Sequence, residues 1–162
     1  MVGDALEKLY IKYYKELYLY AFSLCKDYHM AEDLASDTFY KAILSFDNKE
    51  SYIKYWLFRV CKNLFLDSLR KNKEFSDTDR LDGMISLEET PLDKLIYSEE
   101  KRKLYQYIMG LAPSYREVII LYYYCDFSLK EITKATGLSE SNAKVLLYRA
   151  RKRLKVQLEG EK

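Results

Sequence analysis

Apolar residues recur every three or four positions along most of this chain, a spacing that places them on one side of an α-helix. No segment shows the strict alternation that is typical of a half-buried strand. The 162 residues include only five glycines and two prolines, whereas all-β folds need many turns. We therefore predict an all-α protein. The predicted helices cover residues 5–28, 30–46, 51–72, 95–110, 113–125, 128–136 and 139–158.

The apolar period is lost in the segment 74–94. We predict that this segment is a flexible linker between two small helical domains, at 1–73 and 95–162. Charge also changes along the chain, because residues 75–98 carry two basic and six acidic side chains, whereas residues 99–162 carry 13 basic and eight acidic ones. The basic excess predicts a polyanionic partner for the second domain.

At the N-terminus, charged residues interrupt every apolar run, so no signal peptide is expected. No stretch approaches the ~18 apolar residues of a membrane span. Three cysteines, Cys25, Cys61 and Cys125, lie far apart in apolar stretches. Buried thiols in a reducing compartment fit this pattern better than disulfides do. The chain is therefore predicted to be cytoplasmic, with no membrane span.

The second domain contains the pattern of a helix-turn-helix. Ser128 and Glu131 have the spacing of a capping box, which predicts the start of a short helix. Gly137 predicts its end, because glycine tolerates the left-handed conformation that a helix stop needs. A longer helix follows at once. A short helix, a tight glycine turn and a longer helix are typical of a DNA-binding motif.

The last helix has two different faces when its residues are placed at 100° intervals. The face expected to pack inside the domain consists of Ala143, Leu147, Ala150, Leu154 and Leu158. The opposite face consists of Ser141, Val145, Tyr148, Arg149 and Lys152. Six basic residues and no acidic residue occur between positions 144 and 155. Together with the glycine turn, this run favours entry into a DNA major groove over a merely solvated basic face.

The third helix carries a mixed stripe opposite its apolar face. The stripe consists of Trp56, Arg59, Asn63, Asp67 and Arg70. An indole ring can stack on an unstacked base, a guanidinium can bind phosphate, and an amide can read a base edge. Packing of Trp56 against another helix, with the remaining residues solvated, explains the pattern equally well.

The second helix carries Asp33 and Asp37 one turn apart on one face. Paired carboxylates can serve catalysis or bind a metal. No third carboxylate or histidine stands at ligand spacing, and His29 is predicted to lie in a loop. An acidic face that is solvated, or that meets a basic partner, is therefore favoured. An enzyme that uses this pair stays open at this point, and no cofactor is predicted.

Several sequence boxes, taken in order, resemble those of bacterial sigma factors of the extracytoplasmic-function type, a branch of the sigma-70 family. They read AEDLASDTF at 31–39, WLFRVCKNLFLDSLR at 56–70, LAPSYREVI at 111–119, and YRARKRL at 148–154. Their order and spacing, with an EI pair in the short helix, extend the resemblance over nearly the whole chain.

The resemblance implies a non-catalytic protein that binds core RNA polymerase and directs it to promoters. Its region 2 would be the first domain and its region 4 the second. Asp33, Leu34 and Asp37 would lie on the helix that docks the β′ clamp helices, and the β subunit would be a further contact.

The resemblance also implies two DNA contacts. The stripe on the third helix would face the −10 element, and the break at 46–53 would capture a flipped base. The residues implied at the −35 element are Ser141, Lys144, Val145, Tyr148, Arg149 and Lys152. Ser36 and Leu146 depart from the family pattern, where glutamine and arginine are common.

Two other classes of protein remain open at this point. One is a helix-turn-helix repressor or activator with residues 1–74 as a dimerisation or sensing domain, and the other is an enzyme that uses the acidic pair. The residues also leave open whether an anti-sigma factor binds the protein.

Overall fold

The computed structural model describes residues 2–45, 50–71 and 95–160. The chain divides into two compact units, Met1–Ser86 (unit 1) and Leu87–Lys162 (unit 2). The described helices are α1 (Val2–Cys25), α2 (Tyr28–Ser45), α3 (Glu50–Lys71), α4 (Glu99–Met109), α5 (Pro113–Tyr123), α6 (Leu129–Thr136) and α7 (Glu140–Gly160). No strand occurs within the described ranges, and the all-α prediction is confirmed. The predicted linker at 74–94 lies outside the described residues.

Unit 1 is built around α1, which packs against both α2 and α3. Because α1 has a helix on two sides, every residue from Leu17 to Ser23 is buried, rather than one stripe. The Tyr20 ring lies 5.2 Å from that of Phe58 on α3. The Phe22 ring stacks on Tyr28 of α2 at 4.6 Å. Aromatic pairs of this kind stabilise a core beyond the area that they bury.

The turn between α1 and α2 corrects the prediction for His29. Lys26 adopts a left-handed conformation with φ of 58°, and the Asp27 carboxylate then caps α2. Its Oδ1 atom accepts hydrogen bonds from the backbone N–H groups of His29 at 2.9 Å and Met30 at 3.1 Å. His29 therefore lies in the first turn of α2 and not in a loop. Because Asp27 caps the helix, α2 begins at Tyr28, earlier than the start at residue 30 that hydrophobic spacing predicts.

Unit 2 follows the local signals of its sequence. Ser128 Oγ accepts from Glu131 N at 3.1 Å, and Glu131 Oε1 accepts from Ser128 N at 2.9 Å, which is the predicted capping box. Gly137 ends α6 with φ of 82°, as predicted. Pro113 opens α5, where its missing N–H costs nothing.

A buried arginine joins α5 to the end of α4. The side chain of Arg116 is 8% exposed. Its Nη1 atom donates to the carbonyls of Met109 at 3.3 Å and Leu111 at 3.4 Å. These carbonyls lack helical partners at the end of α4, so the guanidinium satisfies them. Burial lowers the pKa of Arg116 from its usual value.

Helical spacing places Ile43 on the apolar side of the second helix, with Leu34, Thr38, Phe39 and Ala42, and Leu158 on that of the last helix. Ile43 and Leu158 are nevertheless exposed. Ile43 is 49% exposed near the end of α2, and Leu158 is 42% exposed near the end of α7. Helical spacing gives the direction of a side chain, but it does not say how far along the helix a neighbour extends. On α7, all residues after Leu154 are exposed, because the helix continues past the core.

None of the described helices combines the length and the hydrophobicity that crossing a membrane requires.

Candidate nucleic-acid and polymerase interfaces

The helix-turn-helix of unit 2 is held together by small apolar contacts and two caps. Ile132 on α6 is fully buried, and Ala135 is 5% exposed. Ser139 begins α7, since its Oγ accepts from Asn142 N at 3.1 Å. The buried side of α7 consists of Ala143, Leu147, Ala150 and Leu154. The two alanines allow close packing of the helix and leave its other side entirely to solvent.

The outer face of α7 contains every residue that the sequence assigned to the −35 element. All six are exposed: Ser141, Lys144, Val145, Tyr148, Arg149 and Lys152. The Lys152 ammonium lies 4.8 Å from the centre of the Tyr148 ring, a cation–π contact. Lys144 lies 3.9 Å from Glu140, and both side chains are more than half exposed, so water can replace this pair at little cost. We call these six residues the outer face of α7.

Two other cations of the same basic run face α5 instead. Arg151 Nε donates to Tyr123 Oη at 2.7 Å. The Arg153 guanidinium lies 5.3 Å from the centre of the Tyr115 ring. The run between 144 and 155 is therefore not one uniform surface. The spacing could have predicted this for Arg151, because it lies four positions after buried Leu147 and therefore on the same side of the helix.

On α2 of unit 1, Asp33 and Asp37 are both exposed, as the acidic-face prediction requires. Leu34 differs, because its side chain is only 5% exposed and packs inside unit 1. The resemblance placed Leu34 among the polymerase contacts, but its side chain offers little area to a partner. It can support such a contact only by holding α2 in place.

The stripe on α3 is exposed except at Trp56, which is half-buried. Arg59 and Asn63 are exposed. Asp67 and Arg70 form an ion pair of 2.6 Å, with 53% and 74% of their side chains exposed. An exposed pair of this kind adds little stability. It does neutralise Arg70, however, so the stripe carries less net positive charge than the outer face of α7.

Two of the three cysteines, Cys61 and Cys125, are buried, and all three are free thiols. Burial raises the pKa of Cys61 to about 12 and that of Cys25 to about 11. Both thiols are therefore protonated at neutral pH, which makes them poor nucleophiles and poor metal ligands. Among the described residues, no three His, Cys, Asp or Glu side chains are grouped closely enough to hold a metal ion.

A groove of about 490 Å³ lies in unit 2 between α4, α5 and α7. Its lining is largely apolar, with Leu104, Ile108 and Leu154 among its residues. Glu159 is the only carboxylate in that lining. It therefore contains no pair of carboxylates for acid–base chemistry.

The geometry first defines a class, namely an all-helical protein with a helix-turn-helix whose second helix presents a basic outer face. Two family models then match the chain. The model described as Sigma-70 region 2 matches residues 9–75, and the one described as Sigma-70, region 4 matches residues 101–154.

Two known proteins similar to this chain are named as RNA polymerase sigma factors. The ECF RNA polymerase sigma factor SigM of Bacillus subtilis (strain 168) is 36% identical over 156 residues, which cover 93% of each chain. The ECF RNA polymerase sigma factor SigW of the same organism is 28% identical, over 96% of this chain and 89% of its own.

Among solved structures, the sigma factor RpoE from Bartonella quintana, in complex with the anti-sigma factor NepR, superposes with a TM-score of 0.76 at 25% identity. It covers 96% of this chain and 98% of that one. CnrH, in complex with the cytosolic domain of CnrY, superposes with a TM-score of 0.69 at 23% identity, over 99% of this chain and 91% of that one. At this low identity, the likeness to CnrH shows only a shared fold.

The chain belongs to the extracytoplasmic-function branch of the sigma-70 family. It is thus a non-enzymatic subunit that binds core RNA polymerase and directs promoter-specific initiation of transcription, and the resemblance noted in the sequence is confirmed. The alternatives of an independent repressor and of an enzyme are excluded.

Proposed function

We propose that the two units divide promoter recognition by chemistry. In this scheme the outer face of α7 reads the −35 element as duplex, the stripe on α3 reads unstacked bases of the −10 element, and the acidic face of α2 docks polymerase. The observation that carries the proposal is that all six outer-face residues are exposed on the second helix of a helix-turn-helix.

Charge and shape suit α7 to a DNA duplex. Lys144, Arg149 and Lys152 present cations on one side of a helix that a major groove can admit. Most of their binding free energy would come from phosphates, since release of counterions dominates such contacts. Val145 is 44% exposed and suits the methyl group of a thymine. Tyr148 and Ser141 would complete the contact with bases and backbone.

The side-chain types of the stripe suit α3 to unstacked bases. Trp56 would stack on a base, Arg59 would bind phosphate, and Asn63 would read a base edge. Asp67 and Arg70 would act together, because the carboxylate holds the guanidinium in place. The break proposed to receive a flipped base covers 46–53. Residues 46–49 lie outside the described part of the chain, and residues 50–53 belong to the first turn of α3, so this part of the predicted break is helical.

Exposed carboxylates suit α2 to a basic partner. Asp33 and Asp37 lie one turn apart, so both can face the β′ clamp helices at once. Leu34 would support them from inside unit 1. We further propose that residues 1–73 and 95–162 act as separate domains joined by 74–94, that the linker follows the polymerase surface between them, and that the protein works in the cytoplasm. Because RpoE of Bartonella quintana binds an anti-sigma factor, an anti-sigma factor is the class of regulator that we propose for this chain.

The proposal can be tested with purified components. The full chain is combined with core RNA polymerase, and the holoenzyme selects promoters from a pool of duplexes with random −35 and −10 regions. We expect two enriched elements and run-off transcripts that depend on the chain. An enriched −10 element without any preference at −35 would contradict the role of α7.

A further inference from the structure

Arg151 occupies a corner formed by two tyrosine rings of α5. The rings of Tyr122 and Tyr123 lie 5.0 Å apart at 72° to each other. The Arg151 guanidinium lies 5.3 Å from the centre of the first ring and 5.4 Å from that of the second. Its Nε atom also donates a hydrogen bond of 2.7 Å to Tyr123 Oη. We call this arrangement the tyrosine corner.

These contacts use the particular chemistry of a guanidinium. Its planar, weakly hydrated group stacks on aromatic faces while its N–H groups remain free to donate. To reach a DNA phosphate on the outer face of α7, Arg151 would have to swing away from α5 and lose two ring contacts and one hydrogen bond. Arg149 and Arg151 are both exposed, but no such set of contacts holds Arg149 among the described residues. The two arginines therefore differ in role, although both belong to the same basic run.

The position of Arg151 links the corner to the outer face of α7. It follows Arg149 by two residues, which is about 200° around the helix. An anchor on that side fixes the rotation of α7 about its own axis. A rotation of about 20° would move side-chain atoms some 5–6 Å from the axis by roughly 2 Å. That exceeds the tolerance of a hydrogen bond to a base edge.

We propose that Arg151 is a positioning residue for recognition of the −35 element. Held in the tyrosine corner, it sets the rotation of α7 that directs the outer face at the bases, and it contacts no phosphate itself. This inference rests on the proposed function of α7. It distinguishes Arg151, which orients the helix, from the cations of the outer face, which bind DNA.

The test compares three variants of the full chain in reconstituted holoenzyme, namely Arg151→Ala, Arg151→Lys and Tyr123→Phe. The probes are a promoter duplex enriched by the wild-type holoenzyme from a random pool and the same duplex with one base pair changed in its −35 element. Affinity for both is measured over a range of salt concentrations, and melting temperature is measured in parallel. Arg149→Ala is the matched control.

We expect the variants to lose discrimination between the two duplexes. For Arg151→Lys the ratio of affinities should fall about three- to tenfold, because lysine keeps the charge but not the planar stack and the Nε bond. Tyr123→Phe keeps the ring and loses only the acceptor, so its loss should be smaller and in the same direction. Arg151→Ala should leave the salt slope unchanged, whereas Arg149→Ala should lower it by about one unit.

Three results would overturn the inference. The first is a salt slope for Arg151→Ala that falls as much as that for Arg149→Ala. The second is full discrimination by both Arg151→Lys and Tyr123→Phe. The third is an equal loss of affinity for both duplexes with a lower melting temperature, which would indicate a packing role alone. If Arg149→Ala itself leaves the slope unchanged, the failure lies in the proposed function of α7.

Discussion

The basic run of α7 in unit 2 contains no acidic residue between positions 144 and 155, and Lys144 lies 3.9 Å from Glu140 one turn earlier, whereas unit 1 pairs Arg70 on α3 with Asp67 at 2.6 Å. The first arrangement gives a surface whose affinity for DNA depends on salt. The second leaves an aromatic ring and an amide as the main groups of the stripe, and stacking and base-edge contacts depend little on salt. A duplex element suits the charged surface, and an unstacked strand suits the stripe.

The buried sides of α1 and α7 differ as well. Unit 1 buries Tyr18, Tyr20 and Phe58 around α1, and each is at most 1% exposed. On α7 of unit 2, Ala143 and Ala150 are fully buried. Bulky aromatic residues fix the spacing of three helices, whereas alanines let one helix pack closely and still present a continuous outer side. The second solution is the one that a groove-binding helix needs.

The largest effect is expected on polymerase binding. Asp33→Arg and Asp37→Arg should each weaken the affinity for core polymerase by about 2–5 kcal/mol, because a cation would replace the carboxylate that faces a basic partner. Both positions are exposed, so melting temperature should change little. Binding of labelled protein to core polymerase measures the effect.

Glu7→Arg serves as the control for this experiment, since Glu7 is exposed on α1 and the change in charge is the same. Equal affinity of both Asp variants and the control for core polymerase would remove α2 from the interface.

The next effect concerns Trp56. Trp56→Ala should weaken open-complex formation on all promoters by about 1–3 kcal/mol, because stacking on a base does not depend on sequence. Trp56→Phe should restore part of the activity. Tyr55→Ala is the matched control, as a half-buried aromatic residue next to the stripe. If Trp56 only packs inside unit 1, Trp56→Ala lowers the melting temperature and leaves run-off transcription unchanged at a temperature where the variant is folded.

Smaller effects are expected for Asn63 in unit 1 and Lys152 in unit 2, and their different dependence on salt concentration distinguishes the units. Asn63→Ala should reduce open-complex formation by about 1 kcal/mol and leave the salt slope intact. Lys152→Ala should weaken binding to the −35 element and lower the salt slope by about one unit. On a template already melted and mismatched at −10, the Asn63 effect should nearly vanish. An Asn63 variant that transcribes like wild type on every template would end the −10 role of that residue.

The smallest effect concerns the buried thiol of unit 1. Burial raises the pKa of Cys61 from 9.0 to about 12. The folded state therefore binds the proton more tightly than the unfolded state does. The stability from this group is complete below about pH 9 and is lost as pH rises towards 12. Urea unfolding at pH 8, 9 and 10 should show wild type losing more stability than Cys61→Ala. Equal losses of stability in wild type and in Cys61→Ala would mean that the thiol has the same pKa in the folded and unfolded states.

Much of the fold could be predicted because its signals are local. The capping box at Ser128, the glycine stop at 137 and the proline start at 113 each depend on contacts within a few residues. The membership of the family was also readable, because its boxes are contiguous. The exposure of Asp33, Asp37 and the outer face of α7 followed from helical spacing alone. Their roles in binding polymerase and DNA stay predictions.

The remaining features depend on what lies beside each helix. Spacing predicted burial for Ile43 and Leu158, but exposure is decided by how far the neighbouring helix reaches. The resemblance implied a polymerase contact for Leu34, whereas spacing placed it on the apolar side, where it is buried. Counting charges placed Arg151 in one basic run with Arg149, yet the tyrosines of α5 hold Arg151.

The sequence by itself determined that the chain is helical, where α5 and α6 begin, where α6 ends, and to which family the chain belongs. These properties follow from backbone hydrogen bonds and spacing within a few turns. Only the tertiary structure decided that the segment Leu17–Ser23 of α1 is buried on all sides and that Arg151 lies in the tyrosine corner. Such contacts join residues that lie far apart in the chain, and they form only when the packing of the helices brings those residues together.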